Sequence, residues 1–162
     1  MTPHPAVPVV YDCNIYFQAL LNEEGPAGRC VSAALNGEVS LFLSRFVLDE
    51  IRRTAGNATL RAKFRHLIDA RVDRLIVNIE KIGRIVAHVP NRFVYPRDPD
   101  DAHYVNIALA TAARFVVSRD NDLLDLMDLA RPEGREFRRQ FPSLDIIDPK
   151  TLLRELEQTR QA

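Results

Sequence analysis

Carboxylates fall in this chain at places where they could do metal chemistry. Asp98, Asp100 and Asp101 lie within one short run, DPDD; Asp120 and Asp122 lie two residues apart in SRDND; Asp12 and Glu50 stand far upstream. Carboxylates that converge repel one another and raise one another's pKa values unless a cation sits among them. Mg²⁺ or Mn²⁺ is the expected guest, because it takes oxygen ligands, one or two carboxylates per ion, and leaves room for water and substrate phosphate. An ion held in this way leaves coordination sites at which water and a substrate phosphate could meet.

Each acid also has a plainer reading. Asp12 could cap the helix that follows it, and Asn14 could share that work or orient Asp12 by a hydrogen bond. Asp98 precedes Pro99 and could cap a helix in which Asp101 is the third residue, an arrangement that capping alone would explain. Asp100 reads as the solvent-facing member of the run. One of Asp120 and Asp122 could cap the next helix, which leaves the other without a structural reason. Asp125 and Asp128 read as solvated. On the helix after Ser44, residues three and four away from Asp49 include Arg45, Arg52 and Arg53, the surroundings of a surface acid. Glu50 has Phe46, Val47, Arg53 and Thr54 as its neighbours and leans toward the core, where an unpaired carboxylate is costly. An ion pair with Arg53 would be its plain structural role.

The elements that must position these acids follow from the hydrophobic pattern. Short β-branched runs predict strands at 8–11, 39–43, 84–88, 114–118 and 144–147. Between them, helical patterns cover 14–21, about 28–35, a segment capped by Ser44, 58–70 and 72–82, about 100–113, and about 122–129. A charged helix or loop at 131–143 and a closing helix opened by Pro149 complete the chain. Strands alternating with helices predict an α/β domain with a mostly parallel sheet, whose ligands bind beyond the carboxyl ends of the strands. Asp12, the Asp98/Asp101 pair and Asp120 all arrive at that edge.

The 162 residues carry 22 basic and 22 acidic side chains, so no global field advertises a polyanionic partner. The charge is nonetheless segregated: 52–74 is rich in Arg and Lys, while acids gather in 98–128. No apolar run is long enough to span a membrane, and MTPHPAVPVVYD lacks the features of a secretion signal. Two cysteines, Cys13 and Cys30, make no zinc or disulfide pattern, and a reducing cytoplasm is the expected compartment.

Taken in order, VVYDCN, SRFVLDEI, DPDDAHYVNIALA and FVVSRDNDLL resemble the PIN domain family, closest to bacterial members that serve as toxins of toxin–antitoxin systems and are related to VapC-type ribonucleases. The resemblance spans nearly the whole chain. It implies a single PIN domain over residues 1–162, with a three-layer α/β/α fold and a central, mostly parallel five-stranded sheet. It also implies an Mg²⁺- or Mn²⁺-dependent endoribonuclease that cleaves single-stranded RNA. The catalytic quartet carries over to Asp12, Glu50, Asp101 and Asp120. Asp12, Asp98, Asp101, Asp120 and Asp122 become the metal-ligand candidates, and Ser118 stands where the family has a Thr or Ser beside the site. One departure concerns the third acid, which a more typical VapC sequence carries where this chain has Tyr104; the choice between Asp98 and Asp101 stays open. A cognate antitoxin and a homodimer are implied by the family alone.

Arg119, Arg52 and Arg53 are the expected contacts to the RNA backbone, as phosphate positioning needs cations rather than base-specific groups. His103 lies two residues from Asp101, points to a different helix face and reads as a surface residue. The alternative function is a non-catalytic PIN-type module that binds RNA or protein. A phospho-receiver lacks its late-strand Lys, and a dehalogenase-type phosphatase lacks the second acid of Asp12-Cys13-Asn14.

Overall fold

The computed structural model describes residues 4–162; residues 1–3, the start of the stretch read above for a secretion signal, lie outside the described residues. Five strands form one sheet: β1 (Val7–Tyr11), β2 (Val39–Leu43), β3 (Arg84–Ile85), β4 (Phe115–Val117) and β5 (Asp145–Ile147). Every pairing is parallel and the order is β3-β2-β1-β4-β5. The chain therefore reverses its direction of travel across the sheet between β1 and β4, the place where doubly wound sheets open a crevice for ligands.

The helices are α1 (Cys13–Leu21), α2 (Pro26–Leu35), α3 (Arg45–Ala55), α4 (Ala58–Lys63), α5 (Asp69–Ile82), α6 (Pro99–Thr111), α7 (Asn121–Leu124), α8 (Pro132–Gln140) and α9 (Pro149–Gln161). A 3₁₀ turn, Asp125–Met127, follows α7. Helices α1, α2, α3, α5 and α9 pack on one another, whereas α6 lies against β1, β2 and β4, which makes the layers α/β/α. The central strands β1 and β4 are almost wholly apolar and buried (Val9, Val10, Tyr11, Phe115, Val116, Val117), as a sheet covered on both faces requires. Gly37, at φ 79°, makes the tight turn from α2 into β2 that the Asn36-Gly37 pair predicts.

Three expectations need correction. The strand predicted at 84–88 stops at Ile85, because its partner β2 ends at Leu43 and the Val86 N–H takes the Leu43 carbonyl at 2.8 Å as its last ladder bond. The helix predicted over 58–70 ends at Lys63; the chain then turns, with the Leu67 N–H on the Phe64 carbonyl, so that Leu67 is buried. Ser44 precedes α3 but its hydroxyl does not cap it; the oxygen lies 2.7 Å from His103 Nε2 instead.

A candidate metal and active site

Asp12 follows the last residue of β1, and Ser118 follows the last residue of β4, with Tyr11 and Val117 in register between them. The two tips are joined by side chains. Asp12 Oδ1 accepts the N–H groups of Asn14 (2.7 Å) and Ile15 (3.3 Å), and Asp12 Oδ2 accepts a short hydrogen bond from Ser118 Oγ. Ser118 Oγ in turn accepts the Asp120 N–H at 2.9 Å. A fully buried serine thus links the first and the fourth acid. Asn14 orients Asp12 through its backbone, and its own side chain is exposed. Burial is the main reason the Asp12 carboxyl is pushed up to about 6; Ser118 and the two N–H groups pull the other way, and the charge of Asp120 adds to the rise.

Glu50, half-buried on α3, does not pair with Arg53. Its Oε2 accepts the Tyr104 hydroxyl at 2.5 Å, and the same hydroxyl oxygen accepts the Cys13 N–H at 3.2 Å. Tyr104 therefore ties α6 to α3 and to the start of α1, and its own ionisation is driven upward by burial and by Glu50. Arg53 lies over the Phe46 ring, 5.9 Å from its centroid. Burial also lifts the Cys13 thiol, to about 11, which leaves it protonated and unreactive at neutral pH.

On the α6 side, Asp98 caps the helix by accepting the Asp101 N–H at 3.2 Å. Asp101 itself is buried, and its Oδ2 has no hydrogen-bond partner. Asp120 caps α7 through the Asp122 N–H at 2.9 Å, which frees Asp122 from a capping role. Asp98, Asp101, Asp120 and Asp122 each present an oxygen within 4.8 Å of the others. Burial, then the charges of Asp120 and Asp98, raise the Asp101 carboxyl to about 8. Asp12 adds a smaller push, so the two sides of the site feel each other electrically.

Asp12 and Glu50 are not within that four-acid group; they line an adjoining pocket with Asp101 and Tyr104. Asp100 is exposed as expected but also borders this pocket. Asp125 is not simply solvated: Arg97 Nη2 lies 2.9 Å from Asp125 Oδ2 and 2.7 Å from Asp122 Oδ1. His103 is half-buried and bonded to Ser44 rather than a free surface residue, and desolvation lowers its pKa. Arg52, Arg53 and Arg119 are all exposed, with Arg119 donating to Gln18 Oε1 at 2.8 Å. Two residues that touch the acids escaped the sequence reading of roles. Tyr104 was noted for the acid it replaces rather than for holding Glu50; Arg97 directly precedes the DPDD run, a basic residue against an acidic cluster, and that adjacency was the available signal.

Comparison with known proteins adds to this geometry. A family model described as the PIN domain matches residues 8–122, a span that contains Asp12, Glu50, Asp98, Asp101, Asp120 and Asp122. An uncharacterized protein of Methanocaldococcus jannaschii is 26% identical over 153 residues, covering 93% of this chain and 92% of its own length. No solved structure matches.

Proposed function

The chain belongs to the PIN domain family, and on that premise we propose that it is an Mg²⁺- or Mn²⁺-dependent endoribonuclease of single-stranded RNA, acting as the toxin of a toxin–antitoxin pair. The nuclease-type fold comes with the family, and the acidic cluster is compatible with a divalent ion. The observation that carries the reading is Asp101 Oδ2: a buried carboxylate oxygen without a donor, on a residue grouped with three other acids, is costly unless a cation completes it. All-oxygen ligands suit Mg²⁺ or Mn²⁺ rather than a softer metal.

In this reading residues 1–162 form one PIN domain, with Asp12, Glu50, Asp101 and Asp120 as the catalytic acids. Asp98, Asp101, Asp120 and Asp122 would hold the ion, with Asp12 beside them. When bound, the ion supplies an acidified water and positive charge for the leaving oxygen. Ser118 fixes the Asp12 carboxylate by its hydrogen bond, and Tyr104 holds Glu50 at the pocket rim. Arg119, Arg52 and Arg53 are exposed and would take RNA phosphates, Arg119 giving up its bond to Gln18. Two unpaired buried thiols accord with a cytoplasmic setting. A cognate antitoxin and a homodimer belong to the same reading; a small DNA-binding protein encoded directly upstream would support the first.

The decisive experiment is Mn²⁺-dependent cleavage of a single-stranded RNA by the wild type, Asp12→Asn and Asp101→Asn. Loss of cleavage in both variants is expected, and full activity in both overturns the proposal. Calorimetric titration with Mn²⁺ separates the nuclease from a non-catalytic module, which has no need of the ion.

A further inference from the structure

The cluster already holds one cation of its own, the Arg97 guanidinium. Arg97 Nη2 lies 2.7 Å from Asp122 Oδ1 and 2.9 Å from Asp125 Oδ2, and Nη1 lies 4.0 Å from Glu133. Its partners are not equally dependent on it. Arg131 also reaches Asp125, at 3.5 Å, and Glu133, at 3.8 Å. Asp122 has Arg97 as its sole ion-pair partner among the described residues. Asp122 is also the one acid of the four-acid group that touches this outer network of Arg97 and Arg131.

Two features make exchange at Asp122 cheap. Arg97 can leave Asp122 and keep Asp125 and Glu133. The Asp122 backbone, meanwhile, is pinned from outside, because the Tyr95 hydroxyl donates to the Asp122 carbonyl at 2.8 Å. Only the side chain needs to turn. A guanidinium and a divalent ion on the same carboxylate would repel each other at contact distance. We propose that Arg97 and a divalent cation compete for the Asp122 carboxylate, so that Asp122 is a ligand held in reserve and handed to the cluster as the ion enters. Arg97 is then a positioning residue that sets metal affinity. The inference rests on the metal reading above, but concerns a step that reading does not contain.

A double-mutant cycle tests it, with Mn²⁺ affinity measured calorimetrically on the full chain for wild type, Arg97→Gln, Asp122→Asn and the double variant. Arg97→Gln should bind Mn²⁺ about fivefold tighter than wild type or better, the scale of the interaction between unit charges a few ångström apart in water. In the Asp122→Asn background the same change should alter affinity by about twofold or less, since the contested carboxylate is gone. Equal affinities of wild type and Arg97→Gln overturn the competition. So does an equal gain in both backgrounds, which would make Arg97 a remote charge. A wild type that binds no Mn²⁺ overturns the metal reading and this inference together. Should Arg97→Gln fail to fold, the Arg97 side-chain N–H resonance of the wild type reads the same event. It should shift as Mg²⁺ saturates the site and Arg97 gives up Asp122 while keeping Asp125 and Glu133; a resonance unmoved at saturation overturns the proposal.

Discussion

On the β1 side of the site, both oxygens of Asp12 and one oxygen of Glu50 meet neutral donors: two backbone N–H groups, the Ser118 hydroxyl and the Tyr104 hydroxyl. On the α6 side, Asp101 Oδ2 meets no donor at all, and Asp122 is held by an arginine that has other partners. Neutral donors fix a carboxylate's direction without cancelling its charge, so the β1 half is pre-shaped before any ion arrives. The α6 half is left short of positive charge. The difference teaches where the proposed cation would matter most: its binding energy would fall mainly on Asp101 and its neighbours, while Asp12 and Glu50 are positioned by the protein.

The largest test of this contrast is Asp101→Asn. It should bring Mn²⁺-dependent RNA cleavage to background while raising the melting temperature of the metal-free protein at neutral pH, because an amide removes the cost of either ionising the buried Asp101 carboxyl or keeping it protonated there. A lowered melting temperature would mean that Asp101 is satisfied without metal, and the contrast would break.

Ser118→Ala should act in the opposite sense on stability. It removes the donor to Asp12 Oδ2 and the acceptor of the Asp120 N–H, at a cost of about 1–3 kcal/mol. Loss of such an orienting partner should also weaken metal binding or activity by about 10–100-fold. Denaturant unfolding and Mn²⁺ titration on one sample check both numbers.

The pH dependence of metal-free stability sharpens the comparison further. Both Asp12 and Asp101 have folded-state pKa values above the ordinary 3.8, near about 6 and about 8. The folded state therefore binds more protons than the unfolded state in that window, and these two groups lower stability as pH rises through it. Asp12 acts up to about pH 6 and Asp101 up to about pH 8. Thermal unfolding from pH 6 to 8 should show a decline that Asp101→Asn flattens. Millimolar Mg²⁺ should also remove it, by binding the folded state alone. A flat profile in the metal-free wild type would refute the assignment.

The smallest effect is expected from Tyr104→Phe. Glu50 is half-buried and can exchange the lost hydroxyl for water, but the buried Cys13 N–H also loses its acceptor, so stability should fall by about 1–2 kcal/mol and activity by a modest factor. A loss as large as that of Ser118→Ala would put both acids of the β1 half under equal structural control.

Much of the fold was legible because strands and helices announce themselves locally. Strand β2 stands where its short β-branched run puts it, and β1, β4 and β5 differ by a residue at one or both ends. The failures came from partners distant in sequence. Strand β3 is cut short by the end of β2, and the 58–70 helix is broken by the burial of Leu67, neither of which periodicity records. The same division runs through the site. That the acids gather at one sheet edge follows from their placement at strand tips and helix starts. That Glu50 belongs to Tyr104 rather than Arg53, or that Asp122 and Asp125 share Arg97, depends on contacts across 54, 25 and 28 positions, which spacing within one helix cannot show. Asp100 illustrates the limit from the other direction: its exposure was predictable, its place on the pocket rim was not.

The sheet's borders carry a consequence for assembly. Strand β3 is two residues long and β5 is three, so neither margin offers a row of unpaired backbone groups long enough to recruit a strand from another molecule. Self-association by sheet extension is thereby disfavoured, along with the aggregation that exposed margins invite. The proposed homodimer would therefore have to form through its helices rather than through its sheet.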